Sequence, residues 1–158
     1  MEAGANFSDC RKLRYSLWRI WDQSKPLVMF IGLNPSTANE TESDPTINSV
    51  VRIAKANGYG GAYMMNCFPF ISTNPKGLEI SFESTRRNDS ELYEIMSKCK
   101  DAVFAWGNFE VVRDHGRDIQ LSRMFPNALC LARNKNGTPK HPLYCKSDTI
   151  LQPYNQNK

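Results

Sequence analysis

Four short apolar runs are the feature of this 158-residue chain that most limits its fold. They cover residues 27–33, 62–65, 102–106 and 128–131, and the first three are followed directly by Asn or Gly. Uninterrupted apolar runs of this length are typical of strands that are buried on both faces of a sheet. A fifth segment, residues 15–21, alternates polar and apolar side chains and predicts an exposed or edge strand.

Helical periodicity occupies the stretches between these runs. Residues 45–57 place apolar side chains at i, i+3, i+4 and i+7, which predicts an amphipathic helix. Asn88, with Glu91 three residues later, has the spacing of a capping box and predicts the start of a second helix. Residues 111–124 predict a third helix, although Gly116 weakens it.

Strands that alternate with helices favour a parallel sheet covered on both faces. We therefore predict a three-layer α/β/α fold with a central, mostly parallel four-stranded sheet. No linker or internal repeat divides the chain, so residues 1–158 are expected to form a single domain and a monomer. Residues 1–25 form an N-terminal extension that carries the edge strand.

Composition excludes several classes of protein. No run approaches 18 apolar residues, and the first residues lack an apolar stretch, so neither a membrane span nor a secretory signal is expected. The formal net charge of +4 allows a polyanionic partner without requiring one. The five cysteines contain no C-x-x-C pair, which predicts reduced thiols, a cytoplasmic protein and no metal site.

Polar and aromatic residues follow the predicted strands, at the edge where α/β sheets collect their functional groups. Residues 133–146 form a basic loop with four Lys or Arg, one His and no acidic residue. The candidate residues are Gly32, Asn34, Pro35 and Ser36 after the first strand, Asn66, Phe68 and Phe70 after the second, and Arg133, Lys135, Lys140, His141, Pro142, Leu143 and Tyr144 after the fourth.

These side-chain types match a nucleobase. An asparagine amide offers an acceptor and two donors in one plane, which suits the edge of a pyrimidine. Phe68 or Phe70 offers a ring for stacking, and a histidine stabilises negative charge on a carbonyl oxygen of a departing base. The basic loop suits phosphates. An asparagine also orients a water, which suffices for hydrolysis when the transition state is dissociative.

Four landmarks, in order between residues 27 and 145, resemble the uracil-DNA glycosylase superfamily. Gly32-Leu33-Asn34-Pro35-Ser36 is similar to its first motif, Asn66 to its base-reading asparagine, and His141-Pro142-Leu143-Tyr144 to its second motif, with a strand over residues 103–107 between them. The resemblance implies a monofunctional DNA glycosylase with a water nucleophile and no cofactor. Such an enzyme hydrolyses the N-glycosidic bond of a flipped pyrimidine in duplex or single-stranded DNA.

The same resemblance implies roles for the candidate residues. Asn34 would position the attacking water, Asn66 would read the base and His141 would stabilise the leaving base. Phe68 would stack on the base, and Gly32, Pro35 and Ser36 would complete its pocket. Pro142, Leu143 and Tyr144 would enter the minor groove, with Lys140, Arg133 and Lys135 on the DNA backbone.

The chain also resembles, over nearly its full length, domain-of-unknown-function family 1643, which is found in bacteria and phages. The matching signatures are Tyr15-Ser16-Leu17-Trp18, Asn34-Pro35-Ser36-Thr37-Ala38, Asp44-Pro45-Thr46 and Lys140-His141-Pro142-Leu143-Tyr144. This resemblance names no activity.

Two departures from the glycosylase motifs favour a modified pyrimidine in foreign DNA, and a role in antiviral defence, over uracil and housekeeping repair. Ser36 stands where the superfamily has glycine, and Asp44 has no counterpart in the uracil enzymes. Asp44 is either an additional catalytic base or the N-terminal residue of the helix that follows it.

Two other functions stay open. One is a non-catalytic module that binds a base or modified DNA. It would use Asn66 and the aromatic residues for binding and would catalyse no reaction. A small-molecule hydrolase would use Cys67 as nucleophile, His141 as base and Asp44 as its orienting group.

Overall fold

The computed structural model describes residues 1–155 and shows an α/β fold. In these residues, seven strands form one mixed sheet, four α-helices pack on it, and two 3-10 turns, Pro75–Gly77 and Pro142–Tyr144, lie in loops. The strands are β1 (Glu2–Phe7), β2 (Arg14–Ile20), β3 (Leu27–Gly32), β4 (Gly61–Asn66), β5 (Asp101–Phe104), β6 (Leu129–Cys130) and β7 (Gln152–Pro153), and the helices are α1 (Pro45–Ala56), α2 (Phe82–Met96), α3 (Glu110–Asp114) and α4 (Arg117–Met124).

The sheet is larger than the sequence predicts. Its strand order is β1-β2-β4-β3-β5-β6-β7. The four strands expected from the apolar runs, β3 to β6, lie side by side and pair in parallel. The strands β1, β2 and β7 extend this group through antiparallel pairs. The prediction of a four-stranded sheet is therefore wrong in extent, because β1, β2 and β7 add three strands to it.

Helices cover both faces of the sheet. Val28 and Phe30 of β3 pack with α1 on one face, and the alternate residues Met29 and Ile31 pack with α2, α3 and α4 on the other. All four side chains are fully buried, which explains why β3 has an uninterrupted apolar sequence. None of the described helices is long and apolar enough to cross a membrane.

The N-terminal strands correct the prediction of an edge strand over residues 15–21. The strand β2 lies between β1 and β4, and six of its seven residues are buried. The edge is β1, where Gly4 is opposite Trp18 and a Cβ on Gly4 would lie 2.3 Å from the indole ring. Because β1 needs a glycine there to accommodate the tryptophan, its sequence carries little strand signal.

Two helix predictions also change. The helix α2 begins six residues before Asn88, and its N-cap is Ser81, whose hydroxyl accepts a hydrogen bond from the Ser84 amide at 3.0 Å. Asn88 is instead a fully buried residue inside the helix. The predicted third helix is divided into α3 and α4 by Gly116, which has a φ of +66°.

The buried guanidinium of Arg117 ties α4 to α2 and to the end of β4. It bonds Asp89 at 2.8 Å and the Cys67 carbonyl at 3.2 Å, and it is 1% exposed. We expect Arg117→Met to lower the free energy of unfolding by about 3 kcal/mol, because the buried Cys67 carbonyl and the partly buried Asp89 carboxylate lose their donor. Urea denaturation measures this loss. The control is Arg87→Met, whose exposed pair with Glu91 is expected to contribute about 0.5 kcal/mol, and equal losses would contradict the prediction.

Candidate active site

Six of the predicted site residues line one cleft at the carboxyl ends of the parallel strands. They are Gly32, Asn34, Ser36, Asp44, Asn66 and His141. The cleft has a cavity volume of about 140 Å³. An engineered protein cavity of about 150 Å³ binds benzene, so this cleft has room for one six-membered ring.

Asn66 forms the floor of the cleft next to Gly32, its register partner in the pairing of β4 with β3. Its side chain is buried, at 2% exposed, and its Nδ2 has no hydrogen-bond partner among the described residues. A Cβ on Gly32 would lie 3.0 Å from the Asn66 Oδ1, so the glycine leaves room for the amide. Asn88 of α2 supports the strand end, since its Nδ2 donates to the Asn66 carbonyl at 2.7 Å.

The amide of Asn34 is oriented by backbone carbonyls. Its Nδ2 donates to the carbonyl oxygens of Pro35, Phe70 and Ser72, at 3.0, 3.3 and 2.8 Å. Because a carbonyl oxygen only accepts, the amide nitrogen must face these groups, and Oδ1 is the atom left for the cleft. Asn34 therefore presents an acceptor there, as the orientation of a water requires.

Asp44 is the N-cap of α1. Its Oδ1 accepts from the Ile47 amide at 2.9 Å and its Oδ2 from the Ala38 amide at 3.3 Å. The interpretation of Asp44 as the N-terminal residue of the helix is thus confirmed. The carboxylate also lines the cleft and keeps further lone pairs, so its role as a base stays a prediction.

The imidazole of His141 is held in one tautomer. Its Nδ1 accepts from the Leu143 amide at 3.1 Å, which places the ring proton on Nε2. Burial lowers the pKa of His141 below its ordinary value of 6.5, although the charge of Asp44 opposes this effect. The histidine is therefore neutral at pH 7 and offers a donor.

Two aromatic positions differ from expectation. Phe68 lies in the core on the α2 face of the sheet, with its ring edge against His115, and it does not line the cleft. The ring that does line the cleft is Phe109, in the loop after β5. A single phenylalanine in a loop gives no periodic signal, so the sequence does not distinguish it.

Cys67 also lies outside the cleft. Its side chain is fully buried in the same core cluster as Phe68. Burial raises the pKa of its thiol far above the ordinary value, so the thiolate is suppressed. The structure gives a Cys67 hydrolase no support. Within residues 1–155, no group of three His, Cys, Asp or Glu residues is arranged to hold a metal ion.

Arg14 is a cleft residue that the sequence analysis does not identify. The residue is 3% exposed, and its Nη1 donates to the Ala38 carbonyl at 3.0 Å. Burial lowers its pKa to about 10, so it stays charged at pH 7. Arg14 precedes the predicted strand and follows Arg11 and Lys12, and such a basic cluster normally indicates a solvated face.

The loop after β6 divides into internal and exposed parts. Arg133 donates to the carbonyls of Gly137 and Tyr154 and stacks on the Tyr154 ring, so it stabilises the loop itself. Leu143 and Tyr144 are 47% and 77% exposed.

The other loop residues differ in exposure. Pro142 is buried, Lys135 is exposed, and Lys140 is half-buried, with its amide bonded to the Ala132 carbonyl. Pro35 follows Asn34 but does not line the cleft. The exposed apolar tip formed by Leu143 and Tyr144 therefore begins two residues after the cleft residue His141.

Substitutions at Asp44 separate its capping role from any chemistry. We expect Asp44→Ala to lower the free energy of unfolding by about 1 kcal/mol, because α1 loses its cap. Asp44→Asn is expected to lose less than half of that, since an asparagine oxygen still accepts from the Ile47 amide. Urea denaturation of both variants measures the difference, and an unchanged stability of Asp44→Ala would contradict the capping role.

Comparison with known proteins identifies the family. A family model described as "Protein of unknown function (DUF1643)" matches residues 14–143, which is most of the chain. No curated protein and no solved structure matches. The family match confirms the resemblance found in the sequence signatures, and the chain belongs to the DUF1643 family.

Proposed function

We propose that this chain is a monofunctional DNA glycosylase that hydrolyses the N-glycosidic bond of a flipped pyrimidine and leaves an abasic site. The observation that carries the proposal is the buried, unpartnered Nδ2 of Asn66 in a cleft with room for one ring. A buried donor without an acceptor is unfavourable, and a keto oxygen on a bound base would satisfy it.

The parallel strands β4-β3-β5-β6 would then be the core of a uracil-DNA glycosylase-like fold. The positions of the motifs support this assignment. Gly32 and Asn34 follow β3, Asn66 ends β4, and His141 comes from the loop after β6. Side chains from three separate motifs therefore line one cleft.

The proposed reaction needs only water and DNA. The water oxygen bonds to C1′, the bond from C1′ to the base nitrogen breaks, and its electron pair leaves with the base. Asn34 Oδ1 accepts a hydrogen bond from the water, and Asp44 takes the proton that the water releases. The neutral His141 donates from Nε2 to a carbonyl oxygen of the base as negative charge develops there, and solvent then protonates the released base.

A modified pyrimidine suits the cleft better than an unmodified one. Ser36 and Asp44 both line it and supply hydrogen-bonding groups in addition to the Asn66 amide. Uracil has a C–H at its 5 position, whereas a hydroxymethylated pyrimidine carries a hydroxyl group there. Such bases occur in foreign DNA, which is consistent with a defence role.

The DNA would lie across the exposed tip formed by Leu143 and Tyr144. A cavity of about 370 Å³ lies between this tip and the cleft, and it shares Phe109 and His141 with the cleft. We assign this cavity to the sugar and phosphate of the flipped nucleotide, because it is on the side of the proposed wedge. Lys135 is exposed on the same loop and suits the DNA backbone.

Labelled oligonucleotides test the proposal directly. The panel holds uracil opposite guanine and adenine, single-stranded uracil, hydroxymethyluracil, hydroxymethylcytosine and glucosylated hydroxymethylcytosine, and hot alkali breaks the strand at each abasic site. We expect one substrate to be cleaved, with a loss of about 100-fold or more in Asn34→Ala and His141→Ala, since each removes a group that acts in the transition state.

His115→Ala is the matched control, because it removes the only other histidine of the chain and lies outside the cleft. It is expected to keep full activity. DNA binding without cleavage anywhere in the panel would replace the glycosylase with a non-catalytic binding module. Full activity in both cleft variants would show that the site assignment is wrong.

The rate is also expected to depend on pH through His141. Protonation would occupy Nδ1 and break its bond to the Leu143 amide, so the neutral form is the active one. Burial lowers the pKa of His141, so the rate should be constant near neutrality and fall only below about pH 6.5. Single-turnover rates between about pH 5 and pH 8 measure this profile. A rate that rises on acidification would contradict a neutral histidine.

A further inference from the structure

Arg14 contributes a buried positive charge to the cleft. Among residues 1–155 it is the only lysine or arginine that lines the cleft, and none of the ion pairs found there includes it. Burial lowers the pKa of Arg14, and the charge of Asp44, which lines the same cleft, opposes this larger effect, but no ion pair joins the two residues. The cost of burying this cation is therefore only partly compensated. The guanidinium therefore needs an explanation beyond ordinary packing.

The hydrogen bonds of Arg14 leave one buried nitrogen without a partner. Nη1 donates to the Ala38 carbonyl, whereas Nε is buried and has no acceptor among the described residues. The Asn66 Nδ2 is a second donor that is buried and has no acceptor among the described residues. Both residues line the same cleft, so the cleft presents two buried donors that a ligand with acceptor atoms would satisfy.

Arg19, the other buried arginine of β2, shows that support of the loop between β3 and α1 does not by itself explain the position of Arg14 in the cleft. Arg19 is also buried, and it donates to the carbonyls of Asn39 and Glu42 in the same loop, at 2.8 and 3.2 Å. It does not line the cleft, and none of its nitrogens is buried without a partner. Arg19 holds the loop, whereas Arg14 also presents a charge to the cleft.

We propose that Arg14 is a catalytic residue that stabilises the negative charge of the departing base, a role that rests on the proposed glycosylase function. When the bond from C1′ to the base nitrogen breaks, the electron pair stays on the base and spreads to its keto oxygens. A cation in a poorly hydrated cleft attracts this charge strongly. The neutral His141 supplies a donor but no charge, so Arg14 provides the positive charge. The inferred substrate class is a pyrimidine with keto oxygens.

The test measures binding of an anionic base without requiring turnover. The probe is free 5-nitrouracil, whose ionised form absorbs differently from its neutral form, and uracil is the neutral comparison. We expect the wild-type protein to bind the nitrouracil anion, and Arg14→Gln to bind it at least 10-fold more weakly with a smaller change for uracil. Arg14→Lys, which keeps the charge, should recover part of the affinity.

Arg19→Gln is the matched control, because it removes the other loop-holding guanidinium of β2. It is expected to bind the anion like the wild type, and circular dichroism checks that each variant is folded. The proposal is overturned if the wild type does not bind the anion, if Arg14→Gln binds it unchanged, or if that variant loses anion and uracil affinity equally.

Oligonucleotide cleavage by the same variants separates the two proposals. Cleavage that persists at the wild-type rate in Arg14→Gln would keep the glycosylase and overturn the role of Arg14. Anion binding that depends on Arg14, in a protein that cleaves no member of the panel, would overturn the glycosylase and keep Arg14 as an anion-binding residue. A rate loss in Arg14→Gln of about 100-fold, with little loss in Arg19→Gln, supports both.

Discussion

The parallel pairing of β3 with β4 is the contact on which the cleft depends. It sets Gly32 beside Asn66, and a Cβ on the glycine would lie only 3.0 Å from the Asn66 Oδ1. Asn88 fixes the same strand end from the helix α2. A slip of one residue in this register would turn the Asn66 side chain to the opposite face of the sheet. Strand register, and not loop conformation, therefore determines where the central amide of the site lies.

The loop between β3 and α1 is held by polar contacts that also shape the cleft. Asn34 anchors one end of the loop through backbone carbonyls, and Asp44 caps the helix at the other end. Ala38, between them, donates its amide to Asp44 and accepts from Arg14. Three of the side chains that support the loop, Asn34, Asp44 and Arg14, thus also line the cleft. Natural proteins accept such unfavourable burial of polar groups mainly at functional sites.

Much of this arrangement is predictable from sequence, and the remainder depends on contacts between distant residues. Four uninterrupted apolar runs identify the parallel strands, and the polar residues after them include Asn34 and Asn66. The edge strand β1 is not predictable, because its Gly4 is explained only by the Trp18 ring on β2. Arg14 is buried through the carbonyl of a loop 24 residues away. Phe68 follows β4 closely, as the site residues follow their strands, yet its side chain packs into the core on the α2 face. The order of residues in a loop does not determine the direction in which each side chain points.

The hydrogen-bonding groups of the cleft divide into two sets that suit opposite charges. Acceptors come from the β3–α1 loop, namely Asn34 Oδ1 and the Asp44 carboxylate, whereas donors come from Arg14, Asn66 and the Nε2 of His141. A dissociative cleavage of a glycosidic bond develops positive charge on the sugar and negative charge on the base. Fixed groups that favour such a separation need not reorganise during the reaction. This division of groups supports the proposed glycosylase reaction.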